Sequence, residues 1–115
     1  MTRPAIERRR APRANAEFAI TLGDHGAMRA AQLKDLSSSG LCCHFGEAIR
    51  EMTLLKLGLQ LPHDDVLHTV TGAVVRCARL RGVNPPTYEI AVFFTELTPA
   101  CRAAIGSFVT SRIPV

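Results

Sequence analysis

Residues 28–45 of the chain have the sequence MRAAQLKDLSSSGLCCHF, which is the pattern of two strands joined by a polar turn. Residues 28–34 and 41–45 form the two runs, and the second alternates apolar side chains like a strand with one buried face. Between them lies the stretch 35–40, with the sequence DLSSSG. Aspartate and serine stabilise turns through bonds to nearby backbone groups, and glycine adopts backbone angles that other residues avoid. The stretch therefore predicts a hairpin.

Similar alternation recurs on both sides of this hairpin. We predict six strands, at residues 16–22, 28–34, 41–45, 55–61, 66–80 and 88–94. Gly72 lies within the long fifth strand, where a glycine permits a bend or a bulge. In the sixth strand Tyr88, Ile90, Val92 and Phe94 share one face, so Phe93 faces the other side.

A helix is predicted after the last strand. Thr98 has the hydroxyl of an N-cap residue, and Pro99 suits the first helical position. An apolar stripe at helical spacing follows, formed by Cys101, Ile105 and Phe108 and continued by Arg112. Six short strands and one terminal helix are typical of an antiparallel β-barrel or sandwich whose open end the helix closes.

The length and charge of the chain suit one domain preceded by a basic arm. The chain has 115 residues, of which 47% are hydrophobic, so it can bury a core of its own. Its net charge of +4 is unevenly distributed, because five arginines lie within the first 13 residues. Such a run is either a solvated terminus or an anion-binding segment, and arginine favours the second because its planar group pairs bidentately with phosphate. We predict a flexible arm at 1–13 and a barrel domain at 14–115.

No apolar stretch is long enough to span a bilayer, and no apolar segment follows the basic N-terminus as in a signal peptide. We therefore predict a cytoplasmic protein that does not contact a membrane. Cys42, Cys43, Cys77 and Cys101 form no C-x-x-C pair, so we expect buried free thiols. A zinc site at Cys42, Cys43 and His44 lacks ordinary ligand spacing, and we predict neither a metal nor a cofactor.

Two short motifs together resemble a known family. Arg9-x-x-x-Arg13 and Asp35-x-Ser37-x-x-Gly40 are similar to the two signatures of the PilZ domain, a bacterial receptor for the second messenger cyclic di-GMP. The resemblance extends from about residue 7 to about residue 112. It implies an all-β fold, a six-stranded antiparallel β-barrel with a C-terminal α-helix, and a role in signalling that controls motility, biofilm formation or related outputs.

The resemblance also implies which residues bind the ligand. By position, Arg9 and Arg13 clamp guanine and phosphate, and Asp35 and Ser37, with Gly40 in the same turn, contact a guanine at the barrel surface. Arginine pairs bidentately with guanine O6 and N7, and a carboxylate accepts the guanine N1 and N2 protons. Arg8 precedes the first signature, where an arginine accompanies binding of a stacked pair of ligand molecules. The implied mechanism is a switch: the arm orders onto the barrel and presents a new surface to an effector protein that the sequence does not identify.

Three alternatives remain beside the receptor. The first is an adaptor of the same fold that binds protein without nucleotide, against which the intact signatures count. The second is a small nucleic-acid-binding barrel, which a basic arm fits, although the aromatic residues are mostly at core-spaced positions rather than on a stacking surface. The third is an enzyme, which we rank below the binding functions because the scattered histidines accompany no catalytic motif and turn chemistry accounts for Asp64 and Asp65. We therefore predict no catalytic residue.

Overall fold

The structure is a computed structural model that describes residues 14–15, 18–23, 27–62 and 64–112. Within these ranges the regular structure consists of seven strand segments and one helix. In chain order they are β1 (Ala14–Asn15), β2 (Ala19–Gly23), β3 (Arg29–Leu36), β4 (Gly40–Phe45), β5 (Leu54–Gln60), β6 (Leu67–Arg79), β7 (Tyr88–Glu96) and α1 (Pro99–Arg112).

Six of these strands close into an antiparallel barrel. They follow one another in the order β2, β3, β4, β7, β6 and β5, and β5 pairs again with β2. Each of the six therefore has a neighbour on both sides, and closure leaves no free sheet edge between them. The two-residue β1 pairs with the far end of β3 on the same side as β2. The predicted six-stranded antiparallel β-barrel with a C-terminal helix is confirmed.

The predicted strand bounds need two corrections near the hairpin. Of the strand expected at 16–22, the structure has β2 at Ala19–Gly23, residues 16 and 17 lie outside the described residues, and the short β1 precedes them at Ala14–Asn15. β3 continues to Leu36 and β4 begins at Gly40, so Asp35 lies in a strand and the turn itself is limited to residues 37–39. The cause is a shift of register between Leu33 and Asp35. Because of this shift, both Leu33 and Leu36 are fully buried, and pairing continues through Asp35.

The core is built from the inward-facing residues of all six strands and is mainly aliphatic. In β5 the alternation is regular, since Leu55, Leu57 and Leu59 are buried while Lys56 and Gln60 are exposed. Burying one leucine side chain contributes about 1.5–3 kcal/mol before entropy is counted. The alternation that predicted this strand thus reflects the burial of leucine side chains, which also stabilises it.

Gly72 lies where β6 bends, as predicted. The pairing of β6 with β7 shifts register between Thr71 and Gly72, and again between Val74 and Arg76. A side-chain carbon at Gly72 would lie 2.5 Å from Cγ1 of Val92, so a larger residue would displace the opposite strand. The two shifts allow the 13-residue β6 to curve around the barrel.

The helix α1 packs against the barrel beside β1. The backbone N–H of Cys101 donates to Oγ1 of Thr98 at 3.0 Å, which is the predicted N-cap. Cys101, Ile105 and Phe108 are buried, as their spacing predicted. The Phe108 ring meets the ring of Phe18 edge-on at a centroid distance of 5.9 Å. Among the described residues, no helix has the length and apolar character required to cross a membrane.

Candidate functional site

The predicted site residues divide into two groups. Arg8, Arg9 and Arg13 lie outside the described residues, so their roles and the arm at 1–13 stay predictions. Asp35, Ser37 and Gly40 all lie on the β3–β4 hairpin, and the structure gives their surroundings.

Ser37 holds the turn of this hairpin in shape. Its backbone N–H donates to the carbonyl of Gly40 at 2.9 Å. Its hydroxyl donates to the same carbonyl at 3.3 Å, accepts the backbone N–H of Ser39 at 3.2 Å and lies 3.1 Å from the Ser39 hydroxyl. The side chain of Ser37 has no solvent exposure. Its bonds within the turn satisfy a buried hydroxyl and fix the positions of Ser39 and Gly40.

Gly40 lies where the turn meets β7. A side-chain carbon at this position would collide with the carbonyl oxygen of Val92 and approach Cα of Phe93 to 3.3 Å. One residue earlier, the carbonyl of Ser39 accepts the backbone N–H of Phe94 at 2.9 Å. Because both contacts involve backbone, side-chain rotation cannot relieve them. The glycine of the motif is therefore required by the close approach of two strands.

Asp35 lies on the outer face of the barrel at one end of a row that crosses four strands. Asp35 in β3 pairs with Cys42 in β4, Cys42 with Ala91 in β7, and Ala91 with Arg76 in β6. Directly opposed residues in an antiparallel sheet lie on the same face. The row has small side chains in its middle and charged ones at its ends.

Three charged side chains of this region act electrostatically on the Cys42 thiol. Burial, followed by the carboxylates of Glu89 and Asp35 and a hydrogen bond to Glu89, raises the pKa of the Cys42 thiol to about 11, and the Arg76 guanidinium opposes this only in part. Arg76 in turn donates to Oε1 of Glu89 at 3.2 Å. The thiol is therefore neutral near pH 7, and its low thiolate fraction makes it a poor nucleophile.

Cys43 and His68 are two other chemically active side chains of the described residues, and the surroundings of each are those of a residue that supports the fold. Burial raises the pKa of the Cys43 thiol to about 12. His68 lies 3.1 Å from Asp64, which also accepts the backbone N–H of Val66, in agreement with the turn role predicted for this aspartate. His25 and His63 lie outside the described residues. Within the described ranges, no group of three or more His, Cys, Asp or Glu side chains is placed to hold a metal ion.

Sequence reasoning gave no function to Phe93, which lies next to this site. The alternation of β7 placed its side chain on the face opposite the core, and its side chain is indeed 53% exposed. Its neighbour across the strands is Gly40 of the motif. The alternation could have identified an exposed aromatic ring, but only the pairing of β4 with β7 locates that ring beside the turn.

Comparison with solved structures shows the same fold in bacterial proteins. MotI, an inhibitor of motility from Bacillus subtilis, matches with a TM-score of 0.77 and 14% identity over 97% of this chain and 52% of its own. The PilZ domain of YcgR from Escherichia coli, solved with c-di-GMP, matches with a TM-score of 0.72 and 13% identity over 91% of both chains. MrkH of K. pneumonia, in a c-di-GMP complex, matches with a TM-score of 0.72 and 15% identity over 96% of this chain and 52% of its own. This chain thus spans about half the length of MotI and MrkH.

A comparison with curated proteins by sequence finds no significant match. The model of the PilZ domain family matches residues 7–111, which includes both motifs and every strand of the barrel. The barrel, the hairpin that carries Asp35, Ser37 and Gly40, and the closing helix agree with that match. The chain therefore belongs to the PilZ domain family.

Proposed function

We propose that this protein is a receptor for cyclic di-GMP. The observation that carries the proposal is the position of Asp35, which lies on the outer face of the barrel beside the motif turn that Ser37 and Gly40 hold against β7. The YcgR and MrkH structures of the same fold contain this nucleotide. A carboxylate at Asp35 is suited to accept the N1 and N2 protons of guanine, because it accepts hydrogen bonds without donating them.

The topology of β1 supports a role for the arm at the same place. Arg13 immediately precedes β1, in which Ala14 is paired with Leu36 and Asn15 with Asp35. The chain therefore enters the barrel next to Asp35, and Arg9 is only four residues further along the arm. We propose that Arg9 and Arg13 bind guanine and phosphate there, with the bidentate geometry that arginine offers to both groups. Arg8 extends the same basic run and is proposed to recruit a second ligand molecule.

The proposed output is a signalling contact. Ligand bridges the arm and the outer face of the barrel, and the combined surface binds an effector protein in the cytoplasm. We propose binding without turnover, because the carboxylate and arginines of this site have roles in recognition and the Cys42 thiol is neutral. The adaptor without nucleotide is less favoured, since all residues of both motifs are present.

Isothermal titration with cyclic di-GMP tests the proposal, with GTP and cyclic di-AMP as competitors of related chemistry. We expect selective binding of cyclic di-GMP, and a stoichiometry of two ligands per chain that falls to one in Arg8→Ala. Arg13→Ala removes charge-assisted bonds and should weaken binding by roughly 10- to 150-fold. The matched control is Arg81→Ala, which removes an exposed arginine on the β6–β7 loop and should bind normally.

Asp35→Ala tests guanine selectivity within the same experiment. The variant should lose its preference for cyclic di-GMP over cyclic di-AMP, because adenine lacks the N1 and N2 protons that the carboxylate accepts. Absence of binding by the unmodified protein would contradict the receptor and favour the adaptor. Equal losses in Arg13→Ala and Arg81→Ala would instead indicate an unspecific attraction of anions to a basic protein.

A further inference from the structure

Phe93 is an exposed aromatic ring at the edge of the candidate site. It lies on the outer face of β7 with 53% of its side chain exposed, and its partners on either side are Gly40 in β4 and Ala73 in β6. Neither partner has a side chain large enough to cover a phenyl ring. The ring is therefore flanked on both neighbouring strands by small residues and is itself open to solvent.

The surface between Phe93 and Asp35 is formed by small side chains. Gly40, Cys42 and Ala91 occupy the outward positions of β4 and β7 between these two residues. Asp35 and Phe93 are separated by two strand spacings across the sheet and two residues along it, which places their α-carbons about 12 Å apart. A ligand with two bases can span this distance.

We propose that Phe93 is a stacking platform for one base of the bound cyclic dinucleotide, while Asp35 pairs with the other. The inference rests on the proposed receptor function and extends it to a residue outside both motifs. Aromatic side chains stack on nucleobases because both present flat π faces. The small residues between the two ends allow the ligand to lie flat on β4 and β7, close to the backbone.

Exposed apolar residues elsewhere on this part of the barrel provide controls. Leu54, with 59% of its side chain exposed, lies one strand beyond Ala73, and Val75, with 52%, lies at the second register shift of β6. Neither is paired with the motif turn. If the apolar character of the whole face determined ligand affinity, Leu54 and Val75 would contribute to that affinity as much as Phe93. If stacking beside Gly40 determines it, only Phe93 contributes.

The absence of tryptophan from the sequence allows a direct spectroscopic test. Phe93→Trp introduces a single indole that keeps an aromatic face, and stacked guanine quenches indole fluorescence. We expect this variant to bind cyclic di-GMP as well as the parent and to show saturable quenching. Leu54→Trp places the indole three strands away from Gly40 and should show little change on the same titration.

Isothermal titration of Phe93→Leu measures the affinity for cyclic di-GMP that is lost when the ring is removed. Leucine keeps an apolar side chain but removes the ring, so we expect binding weaker by roughly 5- to 150-fold, the effect of losing one stacked base. Leu54→Ala should bind like the parent, and thermal melts of all variants check that the fold is retained.

The outcomes separate this inference from the function on which it rests. If the parent binds cyclic di-GMP and Phe93→Leu binds equally well, the stacking role is wrong and the receptor stands. Equal quenching in Phe93→Trp and Leu54→Trp would also overturn the stacking role, because the signal would not depend on position. If the parent does not bind, both proposals fail together.

Discussion

Substitution of Gly40 by alanine tests whether the motif glycine is needed for the fold itself, apart from any ligand. The added carbon would collide with the carbonyl oxygen of Val92 and lie 3.3 Å from Cα of Phe93. Both atoms belong to the backbone of β7, so β4 and β7 must move apart. That movement also strains the bonds from Phe94 N–H to Ser39 and from Ser37 N–H to Gly40, each 2.9 Å long.

The expected cost follows from these contacts. Forcing one extra carbon into a well-packed site costs about 1–3 kcal/mol, and each weakened hydrogen bond about 1 kcal/mol. Because the two strands relax in part, we expect Gly40→Ala to lower the free energy of unfolding by about 2–4 kcal/mol. For a domain of this size, that corresponds to a melting temperature lower by roughly 8–16 °C.

Thermal unfolding followed by circular dichroism measures the change, with two glycines as matched controls. Gly46 and Gly106 have no atom within 4 Å of an added side-chain carbon. Gly46→Ala should be nearly neutral, and Gly106→Ala, inside α1, should raise stability by up to about 1 kcal/mol because alanine is the better helix former. A Gly40→Ala protein that melts within about 2 °C of the parent would refute the argument that close approach to β7 requires glycine.

Substitutions at three further positions test the packing, the cap and one buried thiol. Phe108→Ala, which removes a ring that is 2% exposed, should cost about 3–5 kcal/mol by urea unfolding, and a loss below 1 kcal/mol would contradict its place in the core. Thr98→Ala removes the N-cap bond and should cost about 1 kcal/mol, whereas Thr98→Ser should retain most of it. Burial raises the pKa of the Cys43 thiol to about 12, against about 8.5 in an unfolded chain, so the folded state keeps a proton that the unfolded state loses. The contribution of this thiol to stability is complete below about pH 8.5 and falls by about 1.4 kcal/mol per pH unit above that pH. The urea midpoint of Cys43→Ala should therefore fall less steeply between about pH 8.5 and 10 than the urea midpoint of the parent protein.

The barrel could be predicted because its strands alternate in sequence as they do in space. Leu55, Leu57 and Leu59 are buried as their spacing predicted, and Thr98 caps α1. The end of β3 could not be predicted in the same way. A regular alternation starting at Leu33 would bury Asp35, and only the register shift allows Asp35 to face outward while Leu36 remains in the core. That shift belongs to the pairing of β3 with β4, which a local pattern does not reveal.

The same distinction between local pattern and strand pairing governs the candidate site. Alternation along β7 is local, and it was enough to place Phe93 on the outer face. Its position opposite Gly40 depends on the register of β7 with β4, two strands that are distant in the sequence. Another such pairing sets β1, which begins one residue after Arg13 in the sequence, against the part of β3 that carries Asp35. A motif spacing therefore indicates which residue types are available for a ligand, and the pairing of strands decides which other residues stand beside them. By that reasoning, Phe93 and Ala91, the neighbours of Gly40 and Cys42 on β7, are the residues that strand pairing adds to the candidate site and that the motifs alone do not identify.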